Sequence, residues 1–329
     1  MNKISDAGRR ATGRYAAASL FGSVLGICGL GMAWRLAARI WLLPFEIGTA
    51  LLVLAVTTWV GLLLQYGFQA LRDWPAVLEE LRHPITGGTP ALVGISTLLI
   101  AISARADAPH VGAWIGVAGL AWHLCFSLWH TGTMWRGGLQ SGDIAPTLYL
   151  PSVAGNFTGA GFLGSYGLPD WGWLFFGAGV FAWLSMESLV LQRIWHAAHS
   201  RSAMPTVGIQ FAPPVVGGTA LLLLKPDIPP AIILMLWGYS LFQMMVGLRL
   251  YRWLLAESYS SAYWSYTFGV ASSAVCGCKL ILLGSDPART VGLLTFGFAN
   301  LVVGSLLLRS AFDMVVRAVA LLRQRRPVD

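Results

Sequence analysis

Ten apolar segments dominate this sequence, and short breaks holding charged and turn-forming residues separate them. A helix needs about 20 predominantly apolar residues to cross the hydrocarbon core of a bilayer. Charged residues make up only 11% of the chain, against about 25% in soluble globular domains. We therefore predict an all-α integral membrane protein with ten transmembrane helices, which excludes a secreted domain, a disordered chain and a cytosolic enzyme. The predicted spans are 15–33, 45–68, 85–104, 111–130, 149–166, 171–192, 206–224, 229–250, 262–283 and 289–312.

The distribution of lysine and arginine predicts the orientation of these spans. Ten spans place both termini on one side, and that side holds sixteen basic residues against six on the other. Because cytoplasmic loops carry the excess of Lys and Arg, both termini are predicted to be cytoplasmic. The chain then divides into a cytoplasmic N-terminal segment (1–14), a ten-helix transmembrane channel domain (15–313) and a basic cytoplasmic tail (314–329). The net charge of +8 indicates a basic cytoplasmic rim rather than a nucleic-acid-binding surface.

The predicted spans repeat in pairs. Spans that run from inside to outside begin near residues 15, 85, 149, 206 and 262, which predicts five tandem helical hairpins. The first helix of each hairpin is rich in glycine and proline, which kink membrane helices and permit close backbone approach. We interpret these odd-numbered helices as an inner ring forming a central pore, with the even helices facing lipid; tight helix packing is the alternative. The pore-lining or helix-kink candidates are Gly22, Gly26, Pro90, Gly94, Pro151, Gly155, Pro213, Gly217 and Gly269.

Ionisable residues within spans are costly and usually functional, and this chain has few of them. Glu187, near the cytoplasmic end of span six, is interpreted either as a proton-coupling or gating residue or as a structural carboxylate. The structural interpretation, with a loop arginine or a helix N-terminus as partner, is preferred. Lys279, near the outer end of span nine, either concentrates anions or extends to the membrane interface. His123 and His130 share one helical face and are expected to pack rather than to bind a metal ion.

Motifs of enzymes and nucleotide-binding proteins are missing from the sequence, including H-E-x-x-H, a nucleophile elbow and a Walker A loop. No cofactor or metal site is predicted, since Cys276 and Cys278 are one residue apart on a helix and point in different directions. The function classes that remain are a pore and a carrier. Coupled carriers usually show intramembrane acids or inverted repeats, so a pore with hydrophobic constrictions fits better.

Seven segments, in matching order and spacing, resemble the tellurite-resistance/dicarboxylate transporter family, which includes the plant slow anion channels. The resemblance implies ten helices with quasi-five-fold symmetry, a homotrimer, and a pore occluded by a phenylalanine on helix nine, which matches Phe268. Gly269, beside it, is expected where this helix bends. Members of the family have prolines at three positions that are occupied here by Val24, Gly94 and Ser188. The matching segments are 32–35, 81–84, 135–137, 148–157, 174–187, 208–213 and 263–269.

The resemblance also implies a function. We expect an anion channel of the bacterial inner membrane with Phe268 as its gate, and a link to tellurite resistance. The alternative is a secondary carrier that exports tellurite, sulfite or C4-dicarboxylates. The expected partners are small inorganic or organic anions, the lipid bilayer and further copies of the chain, with no nucleic acid.

Overall fold

The computed structural model describes residues 18–137, 140–196, 204–256 and 259–324. The predicted cytoplasmic segment 1–14 lies outside the described residues, as does the end of the predicted tail. All regular secondary structure in the described part of the chain is helical. The helices are α1 (Phe21–Trp41), α2 (Phe45–Arg72), α3 (Trp74–Arg82), α4 (Ala91–Ala104), α5 (Pro109–Trp135), α6 (Gly155–Ser165), α7 (Pro169–His196), α8 (Ala212–Leu224), α9 (Pro230–Arg249), α10 (Tyr251–Leu254), α11 (Ser265–Leu282) and α12 (Asp286–Gln324).

Eight helical segments of the described chain are long and apolar enough to cross a membrane, and they coincide with eight of the ten predicted spans. The other two predicted spans, 85–104 and 149–166, contain shorter α-helices than expected. Helix α4 has 14 residues and starts only after Pro90, and α6 has 11 residues. A π-helical turn, Leu150–Ala154, precedes α6 and contains Pro151. Proline has no amide hydrogen to donate, so regular α-helical hydrogen bonding is interrupted at both places.

Two features of the helices differ further from the predicted spans. Helix α12 continues to Gln324, well into the segment predicted as a cytoplasmic tail. The short helix α3 was not predicted at all. Its first turn contains Pro75, and the carboxylate of Asp73 accepts a hydrogen bond from the amide of Ala76, which is an N-cap arrangement. Val77 of α3 is buried and Glu80 is half-buried, whereas Trp74, Pro75, Glu79 and Arg82 are exposed, so this helix lies at the surface of the bundle.

Burial divides the long helices into two classes. In the segments Ala18–Trp41, Met204–Leu224 and Ser261–Leu282, 72%, 83% and 72% of the apolar window is buried. The segments that contain α2, α5, α7, α9 and α12 are only 17–33% buried. Helices α4 and α6 are short but also mostly buried. The exposed faces carry large apolar side chains such as Leu64, Leu128 and Phe181, which suit a lipid environment.

The five buried helices pack in a closed cycle: α1 contacts α4, α4 contacts α6, α6 contacts α8, α8 contacts α11, and α11 contacts α1. Each buried helix also packs against the exposed helix that follows it in the chain. Two of the turns within these pairs contain a glycine with positive φ, Gly167 at +78° and Gly284 at +80°, which is a conformation that favours glycine. Because each exposed helix returns the chain, the five buried helices run in the same direction and their N-terminal ends meet.

Candidate functional site

A cavity of about 230 Å³ lies where the N-terminal ends of the five buried helices meet, and we call it the N-terminal cavity. Each of these helices, or the turn that precedes it, contributes side chains to the lining. A hydroxyl or glycine at the rim is followed three residues later by a bulky apolar side chain that also lines the cavity. The rim residues are Gly22, Thr89, Thr147, Thr206 and Ser265, and the apolar residues, which we call the apolar ring, are Leu25, Leu92, Leu150, Ile209 and Phe268.

The rim hydroxyls hold neighbouring segments together. The hydroxyl of Thr147 donates a hydrogen bond to the carbonyl of Ile85, and that of Ser265 donates to the carbonyl of Pro205. Ile85 lies in the segment before α4, which is the buried helix next to α6. Pro205 lies in the segment before α8, which is the buried helix next to α11. These two hydrogen bonds from side-chain hydroxyls to backbone carbonyls connect neighbouring segments at the rim of the cavity, which fixes the relative positions of the helix starts.

Phe268 is the largest member of the apolar ring. Its side chain is 6% exposed, and the other four members are between 1% and 8% exposed. All five line the N-terminal cavity: Leu25, Leu92 and Phe268 lie near the starts of α1, α4 and α11, and Leu150 and Ile209 lie in the helical turns that precede α6 and α8. The structure therefore places Phe268 among apolar side chains that come from the start of every buried helix or from the turn before it.

Comparison with known proteins decides the family. The sequence profile of the SLAC1 family, described as voltage-dependent anion channel, matches residues 15–311. The chain belongs to this family. The tellurite resistance protein TehA homolog of Haemophilus influenzae is 29% identical over 298 residues, which cover 89% of each chain. The resemblance inferred from the sequence motifs is confirmed, and the SLAC1 family comprises anion channels and transporters of membranes rather than soluble proteins.

In this SLAC1-family chain, the glycine candidates lie mainly where buried helices touch their neighbours. A Cβ on Gly26 would lie 2.3 Å from the hydroxyl of Thr267, and one on Gly155 would lie 2.2 Å from the ring of His123. A Cβ on Gly217 would lie 3.1 Å from the ring of Phe157. Of the predicted glycine and proline candidates, only Gly22 is among the residues that line the N-terminal cavity.

Four further candidates are also explained by their local surroundings. A Cβ on Gly94 would meet Trp122 at 3.0 Å, so this glycine faces α5. Pro90 and Pro213 mark helix starts rather than kinks within a helix, since Pro90 is the N-cap of α4 and Pro213 lies in the first turn of α8. Gly269 lies within α11, which is α-helical from Ser265 to Leu282. It permits close contact with Phe211, since a Cβ added to this glycine would lie 2.8 Å from the Phe211 Cβ.

Glu187 accepts five hydrogen bonds, and every donor is a neutral side chain. Its Oε2 accepts from Tyr149 at 2.7 Å and from Trp183 at 3.0 Å. Its Oε1 accepts from three donors on or next to the adjacent helix pair, which are Gln210 at 2.9 Å, Tyr239 at 2.5 Å and Gln243 at 3.0 Å. The expected arginine or helix N-terminus was therefore the wrong kind of partner. Both carboxylate oxygens of Glu187 thus act as acceptors for donors from several segments of the chain.

The remaining polar candidates show packing roles. His123 is 1% exposed, and its Nε2 lies 3.2 Å from Oδ1 of Asn156. Within the described residues, no group of three or more His, Cys, Asp or Glu side chains is placed to hold a metal ion. The sequence interpretation missed four members of the apolar ring and the rim hydroxyls. The signal was present, because Thr89, Thr147, Thr206 and Ser265 recur at intervals of 58, 59 and 59 residues.

Proposed function

We propose that this SLAC1-family protein is an anion channel of the bacterial inner membrane whose pore is occluded by Phe268. In this proposal all ten predicted helices cross the membrane as five tandem hairpins, with both termini in the cytoplasm. The buried helices α1, α4, α6, α8 and α11 enclose the pore. The observation that carries the proposal is the apolar ring of the N-terminal cavity, to which all five buried helices or the turns that precede them contribute.

Constriction by the apolar ring supports a closed gate. A hydrated ion that passes a ring of Leu, Ile and Phe side chains must lose water without gaining a polar partner. Such hydrophobic constrictions close pores by dewetting. Phe268 has the largest side chain in the ring, and its rotation or removal would open the greatest cross-section.

Electrostatics of the cavity support anions as the permeant class. The five buried helices present their N-terminal ends to the N-terminal cavity. A helix N-terminus carries roughly half a positive elementary charge and favours anions. The sixteen basic residues assigned to the cytoplasmic side act in the same direction. Among the residues that the structure describes, those that line the cavity carry apolar side chains, hydroxyls or, at His83, an imidazole, and none of them is a carboxylate.

Substitution of Phe268 tests the proposal in planar bilayers or oocytes. Phe268→Ala should raise anion conductance by about tenfold or more, the equivalent of a barrier lowered by ~1.4 kcal/mol. Phe242→Ala is the matched control, since Phe242 is 58% exposed on α9 and is not among the residues that line the N-terminal cavity. Unchanged anion current in Phe268→Ala would remove Phe268 from the gate.

Reversal potentials distinguish the channel from the alternative carrier. A channel current reverses at a potential set by the anion gradient alone, whereas a carrier coupled to protons shifts its reversal potential with pH. Tellurite, sulfite and C4-dicarboxylates should be compared with chloride and nitrate, because the relative from Haemophilus influenzae is named for tellurite resistance. Mass determination of the purified protein in detergent tests the proposed homotrimer.

A further inference from the structure

Helix α11 carries a stripe of four residues along one face: Phe268, Ser272, Val275 and Lys279. They are spaced four, three and four residues apart, which places them within a narrow arc of an α-helix with 3.6 residues per turn. Phe268, Ser272 and Val275 retain 6%, 8% and 6% exposure, and Lys279 is partly exposed. Their neighbours on α11 are 0% exposed, namely Thr267, Ala271, Ser273, Ala274, Cys276, Cys278 and Leu280.

The other faces of α11 are occupied by neighbouring helices. Thr267 and Ala271 face α1, where a Cβ on Gly26 would lie 2.3 Å from Thr267 and one on Gly29 would lie 2.8 Å from Ala271. On the opposite flank, Ser273 accepts a 2.7 Å hydrogen bond from the indole of Trp237 on α9.

The back of α11 faces α12, because a Cβ on Gly277 would lie 2.9 Å from the Cα of Gly292. The stripe from Phe268 to Lys279 is therefore the face that remains, and it points to the axis enclosed by the five buried helices. Eleven residues separate the two ends of this stripe, so Lys279 lies about 16 Å beyond Phe268 along the helix.

Lys279 differs from the other basic residues near the same end of the bundle. Within the described residues, the Nζ of Lys279 takes part in no hydrogen bond or ion pair. Placing a lysine inside a membrane span costs free energy, and such residues usually have a function. Arg35 pairs with Asp107, Lys225 with Asp227 and Arg289 with Asp286. Of the other two, Arg105 donates to the carbonyl of Ser165 and Arg39 is exposed.

We propose that Lys279 is the anion-binding and selectivity residue of the outer half of the pore. The proposal rests on the function proposed above, and it adds a binding site on the far side of the apolar ring. The C-terminal ends of the five buried helices meet there, and helix C-termini carry partial negative charge that repels anions. The ammonium group of Lys279 offsets this repulsion. A compact, rotatable ammonium suits a small monovalent anion such as chloride or nitrate rather than a planar dicarboxylate.

Conductance in the Phe268→Ala background tests the site directly. Lys279→Gln should reduce anion current several-fold and move the reversal potential in a KCl gradient toward that of potassium, whereas Lys279→Arg should retain anion selectivity. Lys225→Gln, at an exposed lysine that pairs with Asp227, is the matched control. Currents of Lys279→Gln that equal those of Lys225→Gln in size and selectivity would overturn the proposal.

Thiol accessibility separates this proposal from the function on which it rests. In a Cys125→Ser background, an anionic methanethiosulfonate added outside proteoliposomes should modify Lys279→Cys and, one turn deeper, Val275→Cys. Native Cys276 and Cys278 lie on the same turns but are buried against other helices, so they should stay unmodified. If both introduced thiols are modified but the Phe268→Ala variant conducts no anions, the proposed channel function is refuted and the position of Lys279 on the axis is supported. Protection of both introduced thiols would refute that position.

Discussion

The backbone at Gly269 lies so close to Phe211 that a Cβ added to this glycine would be 2.8 Å from the Phe211 Cβ and 3.0 Å from the amide nitrogen of Ala212. These atoms belong to the start of α8, and Gly269 follows Phe268 directly on α11. The position of the Phe268 ring therefore depends on how closely two buried helices approach. Backbone atoms and a Cβ cannot move aside as the end of a flexible side chain can.

Gly269→Ala should lower stability and disturb the gate together. The added methyl group must push α11 away from α8, and overpacking of this kind costs about 1–3 kcal/mol. Because Phe268 moves with α11, basal anion conductance should change as well. Thermal unfolding in detergent and bilayer recordings measure the two effects. Gly61→Ala is the control, since nothing lies within 4 Å of a Cβ at Gly61 on the exposed face of α2. Because alanine favours a helix interior more than glycine does, this variant should not lower the unfolding temperature, and it should leave the conductance intact.

Alanine substitutions around the apolar ring should raise conductance in proportion to the volume they remove. Leu150→Ala and Ile209→Ala each remove a branched side chain from the same level as Phe268, so both should increase anion current, but less than Phe268→Ala does. Val216→Ala, on α8 beyond the level of the ring and 4% exposed, serves as the comparison. A gate made by Phe268 alone would leave Leu150→Ala and Ile209→Ala at the wild-type current.

Much of the fold was predictable because the hydrocarbon core forces long apolar helices with charged breaks. The eight long helices follow directly from that constraint. The buried helices were indicated separately, by their glycine and proline content. The short helices α4 and α6 were predicted too long, since hydropathy does not register the interrupted hydrogen bonding at Pro90 and Pro151. Helix α3 was missed because its nine residues lie on the surface and are too short and polar for a span.

The candidate site was predictable only in part. Phe268 was found through the family resemblance, whereas the apolar ring required knowing that Leu25, Leu92, Leu150 and Ile209 line the same cavity. The partners of Glu187 come from separate segments of the chain, so spacing alone could not bring Tyr149 and Tyr239 to the same carboxylate. Glycine contacts are equally non-local: Gly269 stood out as a glycine of a predicted inner helix, but only the fold shows that Phe211 lies against it.

Glu187→Gln should destabilise the protein without changing the pH dependence of transport. The amide offers one acceptor oxygen and two N–H groups to a site that holds five donors, so at least one buried donor loses its partner. Each such loss costs about 1–3 kcal/mol. Glu46→Gln is the control, because Glu46 is an exposed carboxylate at the start of α2 and its substitution should change stability by less than about 0.5 kcal/mol.

Reversal potentials recorded at several pH values check the second half of that prediction. The Glu187 carboxylate is saturated by neutral donors, which is the arrangement of a structural anion that links α7 to α9. Wild-type and Glu187→Gln reversal potentials should both follow the anion gradient alone. A wild-type reversal potential that shifts with pH, and a shift that disappears in Glu187→Gln, would instead identify Glu187 as a proton-coupling residue.

Glu80 should make the stability of the protein depend on pH through its contact with the start of α1. Its Oε1 accepts a 2.9 Å hydrogen bond from the amide of Ala18, and its Oε2 accepts one of 3.3 Å from Tyr66. Burial of the carboxyl on α3 raises its pKa above the ordinary value of 4.5, and the two hydrogen bonds oppose this only in part. The folded state therefore binds the proton more tightly than the unfolded state does.

It follows that the contribution of Glu80 to stability is fully present below pH 4.5 and is lost as the pH rises through its raised pKa. Glu80→Gln keeps an acceptor for the Ala18 amide but does not titrate, so the unfolding temperature of this variant in detergent should depend less on pH over that window. Glu79→Gln, at an exposed carboxylate on the same helix, should leave the wild-type pH profile in place. Identical profiles for the wild type and both variants would show that the Glu80 carboxyl titrates alike in the folded and unfolded chain, and that its burial against α1 exerts no net effect on its pKa.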